Sequence, residues 1–195
     1  MRYASIRKFD ISNGEGIGVV LFTQGCPFHC KGCFNTETWS YEGGFPYTKE
    51  QKNIIIKLLN NDYISRFTVL GGEPFLPQNK QDLEELLKTI KQTYPTKKVW
   101  AYSGNLFEKL VIDYSNLLQY IDVLVDGPYV EAKKDLTLAF RGSSNQRIID
   151  VQASLKTGKA VIKKTAWVER KNNNLYVKKD NEWIKPEHIC IKEGI

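Results

Sequence analysis

The chain has 195 residues and a mass of 22.4 kDa, enough for one sizeable hydrophobic core and a small appendage. With 42% hydrophobic and 26% charged residues it has the composition of a soluble globular protein, and no apolar run reaches the length of a membrane span. The net charge of +6 sits mostly at one end: residues 156–195 hold 10 of the 28 basic and 5 of the 22 acidic side chains, so the charge gives little support to nucleic-acid binding.

The start, MRYASIRKFDISNGEG, lacks the apolar segment of a secretory signal, which points to the cytoplasm. Residues 6–11 and 17–23 are expected to form two strands around the turn Ser12 to Gly16. The second is apolar throughout, as a strand buried on both faces of a parallel sheet would be. Directly after it comes Cys26-Pro27-Phe28-His29-Cys30-Lys31-Gly32-Cys33. Three of the four cysteines fall in these eight residues and the fourth is Cys190, a pattern unlike a secreted disulfide framework.

Thr48 and Gln51 have the spacing of a capping box, and Ile54, Ile55, Leu58 and Leu59 follow at helical intervals, predicting a helix over 49–61. Residues 67–70 read as a strand ended by Gly71-Gly72-Glu73-Pro74. A second amphipathic helix is expected over 80–93, a strand over 98–102 ending in Ser103-Gly104-Asn105, a helix over 105–118, and a strand over 121–125 ending in Asp126-Gly127-Pro128. Such alternation predicts a mainly parallel sheet with helices outside it. The loops at the strand ends then share one rim, where open α/β folds place their ligands. Residues 136–140 read as an apolar strand or packed segment, 141–147 as a polar loop, and 151–156 as a short helix ending at Gly158. Residues 159–195 read as a β-rich basic extension in which Tyr176, Trp167 and Trp183 could cluster, leaving 1–158 as the core domain.

Three thiolates on so short a loop suit an iron–sulfur cluster with one iron left open. Structural zinc, with His29 or a returning Cys190 as fourth ligand, and inert or disulfide-bonded thiols are the alternatives.

Cys-x3-Cys-x2-Cys after a buried strand, followed by Gly-Gly-Glu-Pro at the end of the next, resembles the radical S-adenosylmethionine (SAM) superfamily. CPFHCKGCFNTETW, LGGEPFLP, VLVDGPY and FRGSSNQRIID, in this order, resemble the activating proteins of anaerobic ribonucleoside-triphosphate reductase. The resemblance covers about residues 1–155 and implies an α/β fold, a compact partial (β/α) barrel. It also implies a [4Fe-4S] cluster on Cys26, Cys30 and Cys33, with SAM chelating the open iron. Reductive cleavage of SAM would give a 5'-deoxyadenosyl radical that takes a hydrogen atom from a glycine of the reductase, with a flavodoxin-like or other low-potential electron donor as the second partner.

By the same resemblance, Gly71, Gly72, Glu73 and Pro74 face the SAM amino group, and Ser103, Asn105 and Asp126 reach its methionyl or ribose part or, alternatively, stabilise their loops. The superfamily's usual aromatic before the third cysteine is here Gly32, which would admit adenine close to the backbone. Phe34 is the candidate to stack on it, unless it packs under the loop. Arg141, Ser143, Asn145, Gln146 and Arg147 are expected to order the end of the sheet or meet the reductase. Two other functions fit parts of the pattern: a radical SAM enzyme acting on a small molecule such as a deazapurine precursor, and a non-enzymatic metal-cluster interaction module.

Overall fold

The apolar run after the first turn becomes β2 (Gly18–Thr23), all six residues buried, as expected of a strand covered on both faces. It pairs antiparallel with β1 (Arg2–Asp10), which also carries the short β3 (Phe45–Pro46) on its outer edge. On its other side β2 runs parallel to β4 (Arg66–Gly71), then come β5 (Lys98–Ser103) and β6 (Val123–Asp126), all parallel. β7 (Arg147–Asp150) and β8 (Val161–Ile162) complete the sheet antiparallel. The order is β3-β1-β2-β4-β5-β6-β7-β8, a mixed sheet of eight strands with a parallel centre. The computed structural model describes residues 1–163, 168–171, 174–179 and 182–184. They fall into two compact units, Met1–Ile162 and Lys163–Ile195.

Helices α1 (Lys49–Leu59), α2 (Lys80–Thr93), α3 (Phe107–Asp113), α4 (Ser115–Leu118) and α5 (Val151–Thr157) link the strands. The capping box forms as its spacing predicts: Gln51 Oε1 accepts from the Thr48 N–H at 3.0 Å, and Thr48 Oγ1 from the Glu50 N–H. α2 turns Leu83, Leu86, Leu87 and Ile90 inward, where they meet Val19, Leu21, Phe67, Val69, Val99 and Ala101 of the sheet in one core. The alternate residues of the same strands, among them Phe22, Leu70, Trp100, Tyr102 and Val125, line the opposite face.

The helix expected over 105–118 is two pieces. Tyr114 leaves the helical region at φ −135°, and its ring meets Phe75 edge to face at 5.5 Å, so packing there replaces continuation of the helix. Residues 136–140 are turns rather than a strand, because both edges of β6 are already paired, by β5 and β7, and offer no ladder to join. Phe140 still packs, edge to face on Trp100 at 5.1 Å, while Leu136 is exposed.

The second unit contains β9 (Val168–Lys171), β10 (Asn174–Lys179) and β11 (Glu182–Ile184), an antiparallel sheet in the order β11-β10-β9. Trp167, Asn172, Asn173 and Cys190 lie outside the described residues. Among those described, no helix is long and apolar enough to cross a membrane.

Candidate iron–sulfur site

Four strand ends make one rim. Thr23 is in register with Gly71, and Ser103 with Asp126, so the loops leaving β2, β4, β5 and β6 emerge side by side. Main-chain bonds tie the first two together: the Gly72 N–H donates to Thr23 O at 2.9 Å and the Glu73 N–H to Gly25 O at 2.8 Å. On the far side of the cysteine loop, Gly25 and Cys26 donate to the carbonyls of Thr38 and Trp39. The loop's ends are therefore fixed before any ligand arrives.

Cys26, Cys30 and Cys33 are free thiols, each half-buried. Backbone N–H groups surround their sulfurs. Burial pushes the Cys26 thiol up, opposed by the amides of Phe28 and His29 and reinforced by the Glu73 carboxylate. Burial likewise pushes up Cys30, opposed by a backbone hydrogen bond from Tyr129, while the nearby Cys33 raises it further. Cys33 Sγ accepts from the Asn35 N–H at 3.4 Å. A thiol held up in this way stays protonated near neutral pH, so metal loading releases protons.

Among the described residues no three His, Cys, Asp or Glu side chains are gathered tightly enough to hold one metal ion. A cubane, unlike a single-ion shell, takes each thiolate on a different iron. The donor set, three free sulfurs with amide donors already in place, fits such a cluster. The His29 ring stacks on Trp39 at 4.7 Å.

Glu73 is buried, and its carboxylate bonds to the next loop. Its Oε1 accepts from the Phe75 N–H and the Ser103 hydroxyl, both at 2.9 Å, and its Oε2 from the Gly104 N–H at 2.8 Å. Pro74 is buried beside it, and Asn79 Nδ2 holds the carbonyls of both residues. Burial raises the Glu73 carboxyl to about 7, its three donors pulling against the desolvation. A carboxyl raised above its unfolded value favours folding in its protonated form. Stability is therefore expected to fall by about 3 kcal/mol as pH rises from roughly 4.5 to 7, at ~1.4 kcal/mol per pKa unit. Urea unfolding across that range checks this, and Glu73→Gln should flatten the slope.

The other predicted residues are also engaged within the protein. Ser103 Oγ accepts from the Asn105 N–H at 3.0 Å, and Asn105 Oδ1 accepts from Lys109. Asp126 is buried, one oxygen accepting from the Phe107 N–H at 2.7 Å and the other from Arg147 Nε at 2.9 Å. Arg147 reaches on to Glu108 at 2.8 Å.

Gly104 abuts the cysteine loop, since a Cβ there would lie 2.5 Å from the ring of Phe28. Gly104→Ala is expected to cost about 1–3 kcal/mol by overpacking and to lower iron retention, measured by thermal unfolding and iron analysis. Gly32 has φ +76°, and a Cβ there would strike the Glu131 carboxylate. Phe34 is 59% exposed, with Tyr129 edge-on at 5.4 Å and Lys134 over its ring.

A cavity of about 530 Å³ opens beside Cys33 and Phe34, floored by Phe22, Leu70 and Tyr102 and flanked by Arg141. Its size suits a small-molecule cofactor, and its apolar walls alternate with polar side chains, among them Asn13, Asn35, Asp135, Arg141 and Gln146. Tyr102 escapes a reading of motifs because strand alternation rather than spacing brings it here, whereas Tyr129 and Arg141 stand in the quoted motifs and only the chain reversal places them at the cavity.

A parallel-centred sheet whose first inner strand runs into three free thiols, with three neighbouring strand ends bonded around them, defines an iron–sulfur domain of the radical SAM type. Residues 12–149 match the family model described as a 4Fe-4S single cluster domain. The anaerobic ribonucleoside-triphosphate reductase-activating protein of Salmonella typhi is 40% identical over 148 residues, 75% of this chain and 96% of that protein. Its counterpart in Escherichia coli (strain K12) is 38% identical over the same shares, and that of Enterobacteria phage T4 is 36% identical, over 76% of this chain and 93% of its own. The chain belongs to this family of reductase-activating proteins.

Proposed function

We propose that the chain cleaves SAM reductively and uses the resulting 5'-deoxyadenosyl radical to generate a glycyl radical on an anaerobic ribonucleoside-triphosphate reductase. The observation that carries this is the loop of three free thiols, each with amide donors, beside a cavity of cofactor size. Cys26, Cys30 and Cys33 hold a [4Fe-4S] cluster, which when bound supplies an electron to the SAM sulfonium. Gly71 and Gly72 offer main-chain groups to the SAM amino end. Phe34 and Gly32 border its adenine. Glu73, Pro74, Ser103, Asn105 and Asp126 serve the cofactor mainly by holding the rim, since their polar groups are engaged by protein donors and acceptors.

On this reading the sheet from β1 to β7 is the superfamily's partial (β/α) barrel and residues 1–158 its core domain. The 159–195 extension, basic in sequence, meets a partner protein. The electron comes from a low-potential, flavodoxin-like donor, in the cytoplasm. The family relationship supports the reductase as target over a small-molecule substrate. Anaerobic reconstitution, followed by electron paramagnetic resonance with SAM, reductant and the cognate reductase, tests the proposal. A glycyl-radical doublet on the reductase is expected. SAM cleavage without that doublet would favour the small-molecule enzyme, and a reduced-cluster signal unchanged by SAM would favour a non-enzymatic module.

A further inference from the structure

Several polar side chains on the wall of the cavity of about 530 Å³ already have protein partners. Asn13 Nδ2 donates to Asp10 at 2.9 Å, the Tyr129 hydroxyl donates to Glu131, and both ends of the Gln146 amide are bonded, to Gly142 and to Gly127. Arg7 lies over the Phe22 ring at 4.9 Å and pairs with Asp10 at 3.1 Å. Two other lining residues keep an atom free. The Tyr102 hydroxyl and Arg141 Nε are buried with no hydrogen-bond partner among the described residues. Buried polar atoms nearly always have a partner, so these two mark a place where an acceptor binds.

Both groups are held in place from the protein side. Tyr102 stands on β5 in register with Val125, its ring packed against Phe22 and Leu70 on one side and Trp100 and Val125 on the other. Arg141 belongs to the FRGSSNQ segment between β6 and β7, whose side chains the proposed chemistry leaves unused. Its Nη1 donates to Gln146 O at 2.7 Å. The segment closes on the rim through Asn145 Nδ2, which donates to Pro128 O at 2.8 Å, and Gln146 Nε2, which donates to Gly127 O at 3.1 Å. It thereby mounts a guanidinium at the cavity wall.

We propose that the Tyr102 hydroxyl and the Arg141 guanidinium together bind a carboxylate carried into this cavity. A phenol and an arginine edge both donate, and a carboxylate has the oxygens to accept from both in charge-assisted bonds. The charge balance agrees. Arg7 and Arg141 face a single lining carboxylate, Asp135, which feels the Arg141 charge but gives Oδ1 to the Thr137 amide and hydroxyl. The inference rests on the reading of the cavity as the cofactor site. SAM is one source of the carboxylate, and an acidic side chain of the reductase is the other.

Reconstituted wild type, Tyr102→Phe and Arg141→Lys are compared by anaerobic equilibrium dialysis with SAM and by glycyl-radical formation at varied reductase concentration. Thermal unfolding and iron content are measured beside both. Each variant is expected to keep a full cluster and to bind one ligand about tenfold more weakly. A raised SAM dissociation constant makes the carboxylate that of SAM. An unchanged one, with about tenfold more reductase needed for the half-maximal rate, makes it the reductase's. Tyr102→Phe should unfold no earlier than the wild type, because its hydroxyl has no protein partner, so it carries the test if Arg141→Lys does not fold. Unchanged values of both constants in Tyr102→Phe, or earlier unfolding or iron loss in that variant, overturn this proposal alone. A wild type that assembles its cluster but binds no SAM overturns the cofactor reading with it.

Discussion

Replacing Cys30 with alanine is expected to leave a folded protein that no longer assembles its cluster. The side chain is half-buried at the loop and contributes no cross-link, so apo-protein unfolding should stay near the wild-type midpoint. Iron after reconstitution should fall to background, and glycyl-radical formation on the reductase by more than the ~10–100-fold that loss of an outer partner costs a metal site. Cys26→Ala and Cys33→Ala should match it. Cys190→Ala should retain iron, because the loop itself supplies the ligands. Iron analysis with visible absorption and resonance spectroscopy reads all four; retention of a full cluster by Cys30→Ala would sink the ligand assignment.

Asp10→Ala is expected to be the most destabilising single change away from the cysteines. Arg66 begins β4 fully buried, and its guanidinium reaches Asp10 Oδ1 at 3.0 Å, Asp10 O at 2.8 Å and Thr68 Oγ1 at 2.6 Å. Asp10 also accepts from the amides of Ser12 and Asn13, so one carboxylate both shapes the first turn and neutralises the buried cation. Alanine would strand that charge, at a cost of about 3–5 kcal/mol. Arg66→Met combined with Asp10→Asn should cost much less, since it removes the charge along with its partner.

Burial works against the Asp10 carboxylate, but Arg66 and the Asn13 amide outweigh it and hold the group below its ordinary value. A depressed carboxyl stabilises the fold above its unfolded pKa and loses that contribution as pH falls through the folded one. The wild type should therefore lose stability on acidification below about pH 4, a loss that the double variant lacks. Urea midpoints of the wild type and the double variant at pH 3 and pH 4.5, below the range in which Glu73 acts, decide the point.

Much of the fold is written in local pattern. The all-apolar run of β2, the Thr48/Gln51 cap and the leucine face of α2 announce their elements because burial and capping act over a few residues. β3 and β7 carry too little periodicity to be read from sequence, and exist because a neighbouring edge is available. The opposite case is 136–140, apolar enough for a strand but without an edge to join. The rim shows the same division. Cysteine spacing points to a cluster, since three thiols lie within eight residues. The polar residues at the other strand ends are visible as candidates, but only their partners reveal that Glu73 clamps Gly104 and that Asp126 holds Arg147.

By itself, then, the sequence determined the alternating α/β order, the three-thiolate loop and its place after the first inner strand, because each depends on short-range spacing and hydrophobic pattern. Only the tertiary structure decided which groups surround those thiols. The Tyr129 amide, the Phe28 ring against Gly104 and the cavity floor of Phe22, Leu70 and Tyr102 come together across parallel crossovers and one long reversal. Contacts of that range are set by strand register and by which sheet edge remains free, and neither is encoded in the spacing of a single segment.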